Sequence, residues 1–136
     1  MNNREFFEDT ILNNGATLGE AINKGFTVSL PHFNQCIERG NFSLQHVKDY
    51  INCNKGALNE SLYIGSWIDN NIVYLDVNEV ILDKRKAIEV AYQRNQQAIY
   101  DNANKVCIDL PEPQRSGTIT QQKAYLTQVI DKLCAI

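Results

Sequence analysis

Between Tyr63 and Val77 the chain reads YIGSWIDNNIVYLDV, and this stretch narrows the accessible folds more than any other. Ile64, Ser66 and Ile68 alternate with Tyr63, Gly65, Trp67 and Asp69. After Asn70-Asn71, Val73, Leu75 and Val77 alternate with Ile72, Tyr74 and Asp76. A period of two is the mark of a strand with one buried face. Asparagine tolerates positive φ better than most residues, so Asn70-Asn71 suits a two-residue turn. The pattern predicts a β-hairpin.

The rest of the chain alternates between short helical and extended patterns. REFFEDTIL places Phe6, Phe7, Thr10 and Ile11 at helical spacing, which predicts a short amphipathic helix. In TLGEAI, Thr17 and Glu20 have capping-box spacing and Gly25 follows, so a second short helix is expected there. GFTVSL reads as a strand stopped by Pro31. FSLQHVKDYINCN has Ser43 as N-cap and a stripe of Leu44, Val47 and Ile51, with Tyr50 beside it. DKRKAIEVAYQRN starts on Asp83, aligns Ala87, Ile88, Ala91 and Tyr92, leaves Lys84, Arg85, Lys86 and Arg94 solvated, and ends at Asn95. QAIY, DNANK and VCIDL form strand, turn and strand, a second hairpin.

PEPQRSGT, with two prolines and a glycine, is an extended connector. A last helix begins near Thr118 or Thr120 and carries Leu126, Val129, Ile130 and Leu133 on one stripe. That stripe either docks on the protein's own sheet or meets the same helix of another subunit, giving a homo-oligomer. The expected fold class is α+β, a mainly antiparallel sheet built from two hairpins and covered by helices, with a C-terminal amphipathic helix. At 136 residues the chain has the length of one domain, with 1–14 a loose N-terminal helix, 111–117 the connector and 118–136 the final helix.

A formal net charge of −3, with acids and bases interspersed, argues against a general nucleic-acid binder and is too mild for a carboxylate-studded DNA mimic. No run approaches the roughly 20 apolar residues that cross a bilayer, and Glu5, Glu8 and Asp9 occupy the start of the chain, so no membrane association is expected and the chain is read as cytoplasmic. Cys36, Cys53, Cys107 and Cys134 are scattered, which predicts free, partly buried thiols and no disulfide.

Neither His32, after Pro31 at a strand end, nor His46, on the polar side of its helix, lies in a recognisable nucleophile motif. Metal-ligand and phosphate-cradle spacings are missing, so no metal or other cofactor is expected. Asp69 and Asp76 sit on neighbouring strands and outward-facing positions, so either they lie near each other across the hairpin as an acid pair, or Asp69 begins the turn and Asp76 is solvated or caps a nearby amide. The candidate binding residues are Trp67, Tyr74, Asp76, Asn95, Gln96 and Arg115. Aromatic faces, an amide pair and a guanidinium suit a planar charged ligand such as a nucleotide, and equally suit the anchors of a protein interface. The bland alternative places Trp67 in the core, Asn95 and Gln96 at a cap and an edge strand, and Arg115 in solvent.

GFTVSL, FSLQHVKDYINCNKGAL, YIGSWIDNNIVYLDV and DKRKAIEVAYQRNQQAIYD together resemble the successive blocks of a small protein family found in phages, prophages and plasmids. The resemblance runs from about Gly15 to Asp101 and rests most on Gly65, Trp67, Tyr74, Leu75, Asp76, Val77, Asn95, Gln96, Ala98, Ile99 and Asp101. Ser66 stands where family members commonly have a second glycine, and Asn78 where they often have serine. The resemblance implies a bacterial host cell and a setting in which small accessory proteins act by binding. The expected function is that of a non-enzymatic protein that counters a bacterial defence system by occluding a defence protein such as a CRISPR effector. The alternatives are a sponge for a defence signalling nucleotide, a virion structural or assembly protein, and an enzyme of unrecognised kind using Asp76 or His32.

Overall fold

The computed structural model describes residues 1–19, 22–58 and 62–136. The fold class is α+β, as the sequence predicts. The chain forms two compact units, one made of Met1–Ile22 and Ser29–Glu79, the other of Asn23–Val28 and Val80–Ile136. Among the described residues seven strands occur: β1 (Gly15–Thr17), β2 (Phe26–Ser29), β3 (Gln35–Glu38), β4 (Tyr63–Asp69), β5 (Ile72–Ile81), β6 (Ala98–Asp101) and β7 (Val106–Asp109). Within the first unit the hydrogen-bonded order is β1-β4-β5-β3, and within the second it is β2-β6-β7. The pairings β1·β4, β3·β5, β4·β5, β2·β6 and β6·β7 are antiparallel.

In the first unit the predicted hairpin forms with Asn70 at φ 48° and Asn71 at φ 64°, the left-handed pair that a two-residue turn of this twist requires. Its register sets Asp69 opposite Ile72, Trp67 opposite Tyr74 and Gly65 opposite Asp76. Ile64, Val73, Leu75 and Val77 point to one side and are fully buried. Helix α1 (Asn3–Asn13) and helix α2 (Leu44–Cys53) cover that side, contributing Phe6, Val47 and Tyr50 to the same core cluster, and the short helix α3 (Lys55–Leu58) follows α2.

Residues 1–14 are therefore not loose. Phe6 is 0% exposed, and the Thr10 hydroxyl, also buried, hydrogen-bonds Ser66 Oγ at 2.6 Å. Asn2 caps the helix by accepting from the Glu5 N–H, and Asn14 at φ 60° ends it. Ser43 caps α2 as expected. The reciprocal half of its capping box comes from His46, whose Nδ1 accepts from the Ser43 N–H at 3.1 Å.

The helix expected around TLGEAI is corrected at its start: Gly15–Thr17 is strand, each residue paired with one of Gly65–Trp67, and its continuation through Glu20 and Ala21 lies outside the described residues. A local capping pattern lost to long-range strand pairing, in which β-branched Thr17 fits well.

The second unit is built on helix α4 (Lys84–Gln93) and helix α5 (Ile119–Cys134) against β2 and β6. Asp83 caps α4 by accepting from the Lys86 N–H at 2.8 Å. Ala87, Ile88 and Ala91 are fully buried beside Val28, Ile99, Leu110 and Ile130. Thr118 and Gln121 form a capping box at the start of α5. The stripe of α5 docks internally, with Ile130 inside this cluster and Leu126 and Leu133 packed against it. Arg85 pairs with Asp131 of α5. Lys84 and Arg94, expected to be solvated, are half-buried instead, while Arg85 and Lys86 are exposed.

No helix among the described residues is long and apolar enough to cross a membrane. The four cysteines are free, but Cys36, Cys53 and Cys107 are exposed and only Cys134 is half-buried, contrary to the expectation of partial burial for all. Cys36 and Cys107 sit on the exposed positions of short strands whose core-facing partners are apolar, Ile37 and Ile108.

Because α1 seals the core of its unit, Phe6→Ala should lower the free energy of unfolding by about 3–5 kcal/mol. Urea titration followed by circular dichroism measures this; a loosely attached helix would leave the midpoint unchanged.

Candidate functional site

The side of the β4–β5 hairpin away from α1 and α2 carries the residues the sequence singles out. By register, one row across the strands reads Cys36, Tyr74, Trp67, and the next toward the turn reads Glu38, Ile72, Asp69. Trp67 is 45% exposed, so it is a surface residue and not a core one. Its ring lies on that of Tyr74 with centroids 4.2 Å apart and planes 14° from parallel. Cross-strand aromatic pairs of this kind add about 0.5–1 kcal/mol to a hairpin.

Asp76 is not solvated but 6% exposed, and of the alternatives read from the sequence it takes the bond to a nearby amide. Gly65 stands opposite it and leaves the space in which it lies. A Cβ built on Gly65 would approach Asp76 Oδ1 to 2.9 Å and would collide harder with Asn78 Nδ2. Asn78 Nδ2 donates to Asp76 Oδ1 at 2.8 Å. The Ser29 hydroxyl lies 3.1 Å from Asp76 Oδ2 and 2.8 Å from Asn78 Oδ1, one proton shared by two acceptors. The Trp67 side chain lies close enough to Asp76 to favour its charged form.

Burial raises the pKa of Asp76 from its ordinary value, against the lowering effect of Asn78, Ser29 and Trp67. Protonation is well accommodated: the acid O–H can donate to Ser29 Oγ, which frees the serine proton for Asn78. On α2, Tyr50 feels the same carboxylate. Burial first, and the charge of Asp76 second, push its phenol upward, while its hydroxyl donates to the Phe33 carbonyl at 2.7 Å.

Asp69 does not join Asp76. Their partners in the register, Ile72 and Gly65, place them four residues apart along the strand, about 13 Å. The expected acid pair is not formed, and the carboxylates have no shared chemistry. His32 is exposed in a turn at φ 71°, and His46 serves as a helix cap.

The other three candidates belong to the second unit and have local roles. Asn95, at φ 55°, ends α4: its N–H donates to the Tyr92 carbonyl and the N–H of Gln96 to the Ala91 carbonyl, the two bonds of a Schellman motif. The Gln96 side chain donates to the Arg94 carbonyl at 3.2 Å. Arg115 is exposed in the connector and lies 3.8 Å from Glu112. Of the six candidates, Trp67, Tyr74 and Asp76 share one face of the hairpin, with Trp67 stacked on Tyr74.

The search by residue type passed over Ser29, Gly65 and Asn78 as members of the site. Two of these were signalled, since a two-residue turn at Asn70-Asn71 sets Gly65 opposite Asp76, and Asn78 shares the face of Asp76 by alternation. Ser29 carries no such signal, being 47 residues away in sequence. Among the described residues no group of His, Cys, Asp and Glu side chains could hold a metal ion.

Two outcomes test this geometry. Gly65→Ala should destabilise the fold by about 1–3 kcal/mol, measured by urea titration, because the added methyl meets the Asp76–Asn78 pair. The raised pKa of Asp76 means the folded state holds its proton more tightly than the unfolded state. Its stabilising contribution is full below the ordinary carboxylate range and is lost as pH rises through the raised value. Over that rise the wild type should lose stability relative to Asp76→Asn; a difference independent of pH would show that the burial has no such effect. Set against family models, curated proteins and solved structures, the chain matches none of them.

Proposed function

We propose that this chain is a non-enzymatic binding protein of phage or mobile-element origin that counters a bacterial defence system, occluding a defence protein such as a CRISPR effector with the outer face of its β4–β5 hairpin. The observation that carries this reading is the Trp67 ring, open to solvent yet held flat on Tyr74. A large aromatic surface that is already ordered loses little entropy on binding, the property of an interface hot spot. The buried polar groups beneath this face have structural work of their own: Asp76 accepts from Asn78 and Ser29. The family resemblance of the same residues supplies the biological setting.

The nucleotide-sponge alternative draws on the same ring, since a base could stack there. It is the weaker reading: Glu38 and Asp69, in the neighbouring row of that face on either side of Ile72, repel phosphate, and the Arg115 it relied on lies beside Glu112 in the other unit.

The test is a panel of CRISPR and other defence systems in cells challenged with phage, with purified effector cleavage as the biochemical counterpart. Wild type should relieve restriction by at least one system. Trp67→Ala, which removes an exposed ring and should keep a native circular dichroism spectrum, should weaken binding to that target by about 2 kcal/mol or more, some thirtyfold. Absence of relief by the wild type across the panel overturns the reading.

A further inference from the structure

The occupant of the hairpin face can be specified by chemistry. One face of the Trp67 indole is covered by Tyr74, and the ring is nevertheless 45% exposed, so its other side meets solvent. The π-face of an indole carries negative potential and attracts cations, with arginine the preferred partner because its planar guanidinium stacks in parallel. The neighbouring row of the same face bears the exposed carboxylates Asp69 and Glu38 on either side of Ile72. Asp69 follows Trp67 by two residues on the same strand, about 7 Å along it, within reach of a guanidinium that stacks on the ring. Carboxylates accept the in-plane N–H groups of a guanidinium while its face rests on the aromatic.

We infer that this face binds an arginine-bearing segment of a protein partner, the guanidinium lying on Trp67 and hydrogen-bonding Asp69, with Glu38 attracting further basic charge. This rests on the reading of the chain as a protein-binding module and adds the chemistry of its partner. Charge complementarity selects the occupant: acidic or phosphorylated segments are repelled by Asp69 and Glu38, and a purely apolar one would leave both carboxylates without a counter-charge at the edge of the contact. Lysine satisfies the charge but lacks the planar stacking surface, so arginine is favoured.

Trp67 is the one tryptophan in the chain, so its fluorescence reports on this site alone. The experiment titrates the full chain with an amidated hexapeptide of alternating arginine and alanine, with the isosteric citrulline peptide, and with a lysine counterpart. The arginine peptide is expected to quench or shift the emission saturably, more weakly as salt is raised. The citrulline peptide should bind about tenfold more weakly, the lysine peptide should fall between them, and Asp69→Asn combined with Glu38→Gln should weaken the arginine peptide by a similar factor. Equal binding of the arginine and citrulline peptides overturns the inference, as does an emission that does not respond at millimolar peptide. Both acids are exposed, so the double variant should fold, and its thermal melt serves as the control. The restriction assay separates the two proposals: relief that depends on Trp67 but is untouched by the double variant leaves the binding reading standing and removes the arginine.

Discussion

A carboxyl group nearly stripped of water must be hydrogen-bonded, and on the outer side of the β4–β5 hairpin that requirement governs what surrounds it. Asp76 takes its bonds from two directions, Asn78 on its own strand and Ser29 at the end of β2. The two donors are positioned by different pieces of backbone, so satisfying one buried acid joins two segments. Gly65 makes this possible by leaving out a side chain where the amide and the carboxyl must fit.

Most of this was legible one strand pair at a time. The alternation around Asn70-Asn71 predicts the hairpin, and its two-residue turn dictates that Trp67 faces Tyr74 and Gly65 faces Asp76, as observed. Asn95 as a left-handed helix end, Ser43 and Asp83 as caps, and the connector before Thr118 were equally local and equally readable. What periodicity could not convey was burial on the outward face. Alternation marks Asp76 as pointing away from the apolar core, and so it does; that it is nonetheless enclosed depends on Ser29, which no local pattern links to it. The same limit explains Thr17, whose capping pattern was overridden by pairing with Gly65, and the N-terminal helix, whose Phe6 and Thr10 find their partners far along the chain.

The second unit solves its packing more conventionally. Small residues on α4, Ala87 and Ala91, let it lie close to the apolar side chains of β2, β6 and α5. Its polar detail is concentrated in turns. Asp101 accepts from the backbone N–H groups of Ala103 and Asn104 and from the Asn104 amide, which hold its carboxyl below the usual aspartate range, and Asn102 bridges Thr27 and the Lys24 carbonyl. The aspartate and two asparagines of DNANK, read from the sequence as a turn, are thus the fasteners of that hairpin.

The tight reversal at Asn70-Asn71 also has a bearing on the order of assembly. Closing a loop of two residues costs little chain entropy, whereas bringing Ser29 to Asp76 closes one of 47. The hairpin can therefore set its register while β2 is still free, with the aspartate seated over the glycine and still hydrated. Arrival of the serine then completes the partners of the carboxyl, a long-range closure laid over a local one.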